Sequence, residues 1–190
     1  MNFSASMKIL FSCYFCHSYP VLGTSLYLEH LEKTQALYHN VSYMSDSTLW
    51  GISDYWATPE ELLTLYKGDC EDIAIAKYFS LIDKQIPYEH LRLTFVYLPN
   101  QDASGIHMVL ELHLNNEIYV SDNRYEYIYL ANQSYMNLRI ASFNHQFLWV
   151  NENVVSKSIE RLDKWAHLLQ RHKKSNHFHL YNLEQLRALR

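Results

Sequence analysis

The sequence predicts an α+β domain: a buried helix carrying a cysteine in its first turn, packed on an antiparallel sheet. Three observations predict it. Lys67-Gly68-Asp69-Cys70-Glu71-Asp72 runs into Ile73-Ala74-Ile75-Ala76-Lys77-Tyr78-Phe79, and a helix drawn through that run is apolar on nearly every face, the pattern of a buried helix. After Pro87 the hydrophobic period changes to two, over residues 91–98, 107–114 and 117–123, as in half-buried strands. Asn115-Asn116 separates the last two runs, and such a two-residue loop is a hairpin turn.

The elements follow in order. Residues 1–23 carry Lys8, a short apolar stretch and Val21-Leu22-Gly23. They read as a degenerate signal segment or a shortened N-terminus, since the charge is thin and no A-x-A site is present; an ordinary apolar start is the structural alternative. Cys13-Tyr14-Phe15-Cys16-His17 matches the C-x-x-C-H haem-attachment pattern, but no haem pocket follows it and the short motif alone is coincidence. Residues 24–40 intersperse Leu28, Leu31 and Leu37 with Glu29, Glu32 and Lys33, an amphipathic helix. Residues 41–55 are loop-like. Thr58-Pro59-Glu60-Glu61 starts a short helix, with Thr as N-cap, Pro at the first position and acids in the first turn. That helix runs to about Tyr66, with Gly68 as its terminator. The central helix then extends from Asp69 or Cys70 to about Asp83. Residues 125–130 and 147–150 are shorter strand candidates. Residues 156–172 are helical, with Ile159, Leu162, Trp165, Ala166 and Leu169 at helical spacing. The folded domain is expected over 24–172, followed by a basic, histidine-containing tail at 173–190.

Composition bounds the function classes. The hydrophobic share is 48% and the charged share 19% over 190 residues, ordinary values for one globular domain. A net charge of -4 leaves no basic footprint for nucleic acid. No apolar run reaches the roughly eighteen residues of a membrane span, so the chain is not expected to cross a membrane. Three cysteines leave at least one thiol free, and Cys70 is the isolated one.

The hairpin brings chemistry together. A two-residue turn at Asn115-Asn116 sets Leu114 opposite Glu117, and hence Val109 opposite Asp122. His107 shares a face with Val109, which makes Asp122 its diagonal cross-strand neighbour at roughly 7–8 Å, within reach of a His–Asp hydrogen bond. A cysteine at a helix start, a histidine on a strand and an aspartate on the next strand form a nucleophile, base and orienter. The helix dipole lowers the thiol pKa. Each residue also has a structural explanation: Cys70 as a small buried hydrophobe, His107 as a satisfied strand histidine, Asp122 as a turn former.

The acids around Cys70 pull the other way. Asp69 at the N-cap and Asp72 near N3 are ordinary helix-start residues. Yet Asp69, Glu71 and Asp72 together would raise the Cys70 pKa and oppose the thiolate. A hard cation resolves the conflict, and carboxylates gathered at a tight turn suit Ca²⁺.

These residues carry a resemblance. Asp54-Tyr55-Trp56-Ala57-Thr58-Pro59, Gly68-Asp69-Cys70-Glu71-Asp72 with the helix behind it, Leu91-Arg92-Leu93-Thr94, His107-Met108-Val109-Leu110 and Asp122-Asn123 resemble the bacterial transglutaminase-like cysteine proteinases, and among them the periplasmic adhesin-cleaving type. The resemblance covers about residues 26–171. It implies a papain-like, transglutaminase-like fold, a Cys-His-Asp protease through Cys70, His107 and Asp122, and calcium held by Asp69, Glu71 and Asp72. It further implies a periplasmic location, a large adhesin whose N-terminal region is cut to release cells from a biofilm, and an inner-membrane cyclic-di-GMP receptor that sequesters the protease. Two alternatives use the same residues: acyl transfer of the transglutaminase or deamidase kind, and a non-catalytic calcium-stabilised binding module.

Overall fold

A computed structural model describes residues 20–98, 105–156 and 162–174. The first helix, α1 (Pro20–Tyr38), turns Leu31, Thr34, Gln35 and Tyr38 inward. The stretch expected to be loop-like contains a two-residue strand, β1 (Ser42–Tyr43), and one helical turn, α2 (Asp46–Leu49). Helix α3 (Pro59–Leu65) starts where the sequence places it, with a capping box: Thr58 Oγ1 accepts from the Glu61 amide at 3.3 Å, and Glu61 accepts from the Thr58 amide at 2.7 Å.

Its end differs from the expectation. Tyr66, not Gly68, takes the left-handed conformation that closes α3, with φ 53°. Gly68 belongs to strand β2 (Lys67–Gly68), which pairs in parallel with β1. Glycine is required there by space: a Cβ would lie 2.6 Å from Leu62 Cδ1 and 2.8 Å from Asp72 Cβ. The chain then enters α4 (Cys70–Asp83), which is buried at ten positions including Lys77.

The main sheet has seven strands. After a 3₁₀ turn at Tyr88–His90, β3 (Leu91–Tyr97), β4 (Ile106–Leu114), β5 (Glu117–Ser121), β6 (Tyr129–Leu130), β7 (Arg139–Phe143), β8 (Leu148–Val150) and β9 (Asn153–Ser156) pair antiparallel in the order β6-β5-β4-β3-β7-β8-β9. One face receives α4: Ala74, Ile75, Tyr78 and Phe79 pack with Leu93, Met108, Leu110 and Phe143. A last helix, α6 over residues 163–174, closes this core with Trp165 and Leu168. The other face holds Val96, Val109 and Val120 under Tyr135 from the short helix α5 (Gln133–Met136).

Three sequence expectations shift. The strand expected at 125–130 is confined to Tyr129–Leu130, because residues 122–125 form a turn in which the Tyr125 amide bonds the Asp122 carbonyl at 3.2 Å. Ser156 closes a strand rather than opening a helix. Strand β7 was not expected, since its Arg139 points into the protein, where it pairs with the fully buried Glu111 at 2.8 Å and breaks the apolar alternation. Residues 1–19, with the C-x-x-C-H match, and residues 175–190 of the basic tail lie outside the described residues. Among the described residues no helix is long and apolar enough to cross a membrane.

Candidate active site

Cys70 is the first residue of α4, and the side chain of Asp69 caps that helix. Asp69 and Asp72 exchange reciprocal bonds to each other's amides, each at 3.4 Å, so the first turn is fixed before any ligand is considered. The β1–β2 pairing holds the turn from outside, through Met44 N–H donating to Gly68 O at 2.9 Å. Cys70 is 8% exposed, and its thiol donates to Glu71 Oε2 at 2.8 Å. Burial pushes its pKa up, Glu71 pushes it further, and a hydrogen bond from the Met108 backbone opposes both. That last contact brings the thiol to the strand residue directly after His107.

The hairpin forms in the expected register. Asn115 and Asn116 have φ of 50° and 66°, the left-handed pair a type I′ turn needs, and Leu114 pairs with Glu117 through to Leu110 with Ser121. Asp122 follows the end of β5, and its Oδ1 lies 2.9 Å from His107 Nε2. With Nε2 engaged by the carboxylate, Nδ1 is the imidazole atom available to take a proton from a thiol. Asp122 is fully buried. Burial works against its charge, but hydrogen bonds from His107 and Arg124 overcome this and hold its carboxyl below the usual range. Arg124 had no place in the sequence-based site. Its guanidinium grips Asp122 through Nη2–Oδ2 at 2.6 Å and Nε–Oδ2 at 3.0 Å, and its amide bonds Oδ1 at 3.0 Å. The one available signal was an arginine two residues after an aspartate at a strand end.

The acids separate into two groups. Carboxylate oxygens of Asp46, Asp69 and Asp72 lie within 4.8 Å of one another. Glu71, the third acid expected from sequence, is turned to Cys70 instead, and Asp46 from α2 stands with the other two. Burial raises all three carboxyls: Asp69 to about 9, with Glu71, Asp72 and Asp46 adding to it; Asp72 to about 7; and Asp46 to about 6, with Glu71 adding. Asp72 Oδ1 accepts the Ala57 amide at 2.7 Å and Asp46 Oδ2 the Tyr55 amide at 2.6 Å. The buried Asp46 Oδ1 has no hydrogen-bond partner. Several convergent carboxylate oxygens, one of them orphaned, fit a hard divalent cation such as Ca²⁺.

Both groups border one open cleft of about 760 Å³, whose walls include Cys70, Asp46, Tyr43, Trp56, Phe95 and Ile106. Trp56 is fixed from behind: it stacks on Phe143 at 5.6 Å, and its carbonyl accepts from Arg171 of α6.

The sequence model of the bacterial transglutaminase-like cysteine proteinases (BTLCP) matches residues 21–157. The chain belongs to this family. It is therefore a cysteine protease with a transglutaminase-like fold. Among solved structures it is similar to LapG of Legionella pneumophila, at 30% identity over 77% of this chain and 78% of that one, with a TM-score of 0.65. The calcium-bound form of LapG is 32% identical over 75% and 78% of the two chains, with a TM-score of 0.62, and the EGTA-treated form gives 0.64 at 30% identity over 76% and 78%. No curated protein sequence matches the chain.

Proposed function

We propose that this transglutaminase-like cysteine proteinase is a calcium-dependent endopeptidase that cuts the N-terminal region of a large surface adhesin. The observation that carries the reading is the placement of the Cys70 thiol, which lines the cleft with Asp46 and Asp69, against the Met108 backbone, one residue along β4 from the His107 that pairs with Asp122. A LapG structure with calcium bound supports the choice of ion. Release of an adhesin promotes dispersal of a biofilm, and the reading places the enzyme in the periplasm, held in check by an inner-membrane cyclic-di-GMP receptor.

In this mechanism Cys70 Sγ gives its proton to His107 Nδ1 and attacks the scissile carbonyl carbon. Asp122 holds the imidazole through Nε2 and stabilises the imidazolium. The C–N bond breaks as His107 returns the proton to the leaving amine, leaving an acyl-cysteine. Water, deprotonated by His107, releases the new carboxylate and frees Sγ. Asp46, Asp69 and Asp72 would hold the Ca²⁺, which supplies positive charge beside a thiol otherwise surrounded by acids.

The test is incubation of the full chain with the N-terminal region of a co-encoded adhesin. One cut is expected in calcium, lost in EGTA and lost in Cys70→Ala. Cleavage by Cys70→Ala would refute the nucleophile, and full cleavage in excess EGTA would refute the ion.

A further inference from the structure

Behind Asp122 lies a buried polar network that the proposed mechanism does not use. Gln35 of α1 is 1% exposed. Its Nε2 donates to the Asp122 carbonyl at 2.9 Å and to the Tyr125 carbonyl. Its Oε1 accepts from Lys77 Nζ at 2.7 Å and from Ser121 Oγ at 2.6 Å. The amide orientation is therefore forced: the ammonium of Lys77 can only donate, so Oε1 faces it and Nε2 must face the two carbonyls. Those carbonyls bracket the turn that carries Asp122 and Arg124. A helix outside the hairpin thus clamps the residues that hold His107.

Lys77 is an expensive residue at its position. It sits mid-helix in α4 at 1% exposure, and the hydrogen-bond partner of its ammonium is the neutral Gln35 amide. Burying an ammonium without a paired carboxylate destabilises a fold, and an apolar chain of the same length would not. Burial accordingly drives its pKa down to about 8, against the opposing pull of the Asp122 charge. A residue kept at a cost to stability is expected to serve the site.

We propose that Gln35 and Lys77 are positioning residues of the protease, in which Lys77 fixes the Gln35 amide and Gln35 locks the 122–125 turn so that Asp122 meets His107. This rests on the assignment of Asp122 as the orienter of His107.

The test is a double-mutant cycle that needs no protein substrate. Alkylation of Cys70 by iodoacetamide in calcium, read by mass spectrometry on the Cys70 peptide, reports how readily the thiolate forms. Gln35→Leu should slow it roughly tenfold. In an Asp122→Ala background the same substitution should change the rate less than twofold, because the residue it acts through is gone. Lys77→Met should slow alkylation while raising Tm, a pair of signs that a purely structural lysine would not give. Should Gln35→Leu fail to fold, Lys77→Met takes its place in the cycle. An unchanged rate in folded Gln35→Leu, an equal loss in the Asp122→Ala background, or a lowered Tm for Lys77→Met would overturn the proposal. A full rate in Asp122→Ala alone would instead refute the reading of Asp122 on which it stands.

Discussion

Replacing Asp46 by asparagine removes one charge from the carboxylate cluster and keeps an oxygen for the Tyr55 amide. The consequences have opposite signs with and without calcium. At an effective dielectric near 20, two unit charges at the 4.8 Å limit of the cluster repel by about 3.5 kcal/mol. Partial protonation of the cluster relieves some of this, so Asp46→Asn should stabilise the metal-free protein by about 1–2 kcal/mol. That corresponds to a Tm higher by about 2–8 °C for a domain of this size. Calcium at a hundredfold excess over Kd adds about 2.7 kcal/mol to the wild type, or about 5–10 °C. Loss of one of three charged ligands should weaken binding by about two orders of magnitude, leaving a calcium response of about 1 °C at the same concentration. Circular-dichroism melts in EGTA and in CaCl₂ read both effects. A lower Tm for Asp46→Asn in EGTA, or a full calcium shift, would refute the ligand set. A calcium shift lost in Glu71→Gln but kept in Asp46→Asn would restore the set expected from sequence.

Three further outcomes follow from the same geometry. The folded pKa values of Asp46, Asp69 and Asp72 are raised above those of free carboxyls. The folded state therefore binds more protons, and the metal-free protein should lose stability as pH rises from about 4 through 6 and beyond; urea midpoints in EGTA at pH 5 and pH 7.5 check the sign. Gly68→Ala forces a methyl against the fully buried Leu62 and against Asp72. It should cost about 1–3 kcal/mol and weaken calcium binding by calorimetry, because Asp72 must move. Arg139→Met leaves the carboxylate of Glu111 buried without its guanidinium and should cost about 3–5 kcal/mol; an unchanged urea midpoint would show that Tyr135 and His113 suffice for it.

The pairing of His107 with Asp122 and the place of Cys70 at the head of α4 were legible because each part of that geometry is local. A two-residue turn fixes the hairpin register, period two assigns the faces, and a capping residue dates the start of α4. None of this needs knowledge of distant contacts. Arg139 was illegible for the complementary reason: an inward arginine is sensible only once its partner Glu111 is known, and the two meet across β3 from strands far apart in the chain.

The acid cluster shows where adjacency in sequence misleads. Glu71 sits between Cys70 and Asp72 in the sequence, but at a helix start positions three and four apart share a side, which groups Asp69 with Asp72 and leaves Glu71 out of their cluster. Asp69 and Asp72 are three apart and converge through the capping box; Glu71 projects from another side and reaches Sγ. The third member of the cluster comes from Asp46, delivered by the pairing of Ser42 with Lys67 and Tyr43 with Gly68. Strands of two residues carry no period to read, and a four-residue helix carries no stripe. The capping bonds of Asp69 and Asp72 are long, 3.4 Å each, so they orient both carboxylates without consuming much of their capacity to bind. The pattern that makes these aspartates look like ordinary helix-start residues is thus the same one that aims their oxygens at a common point.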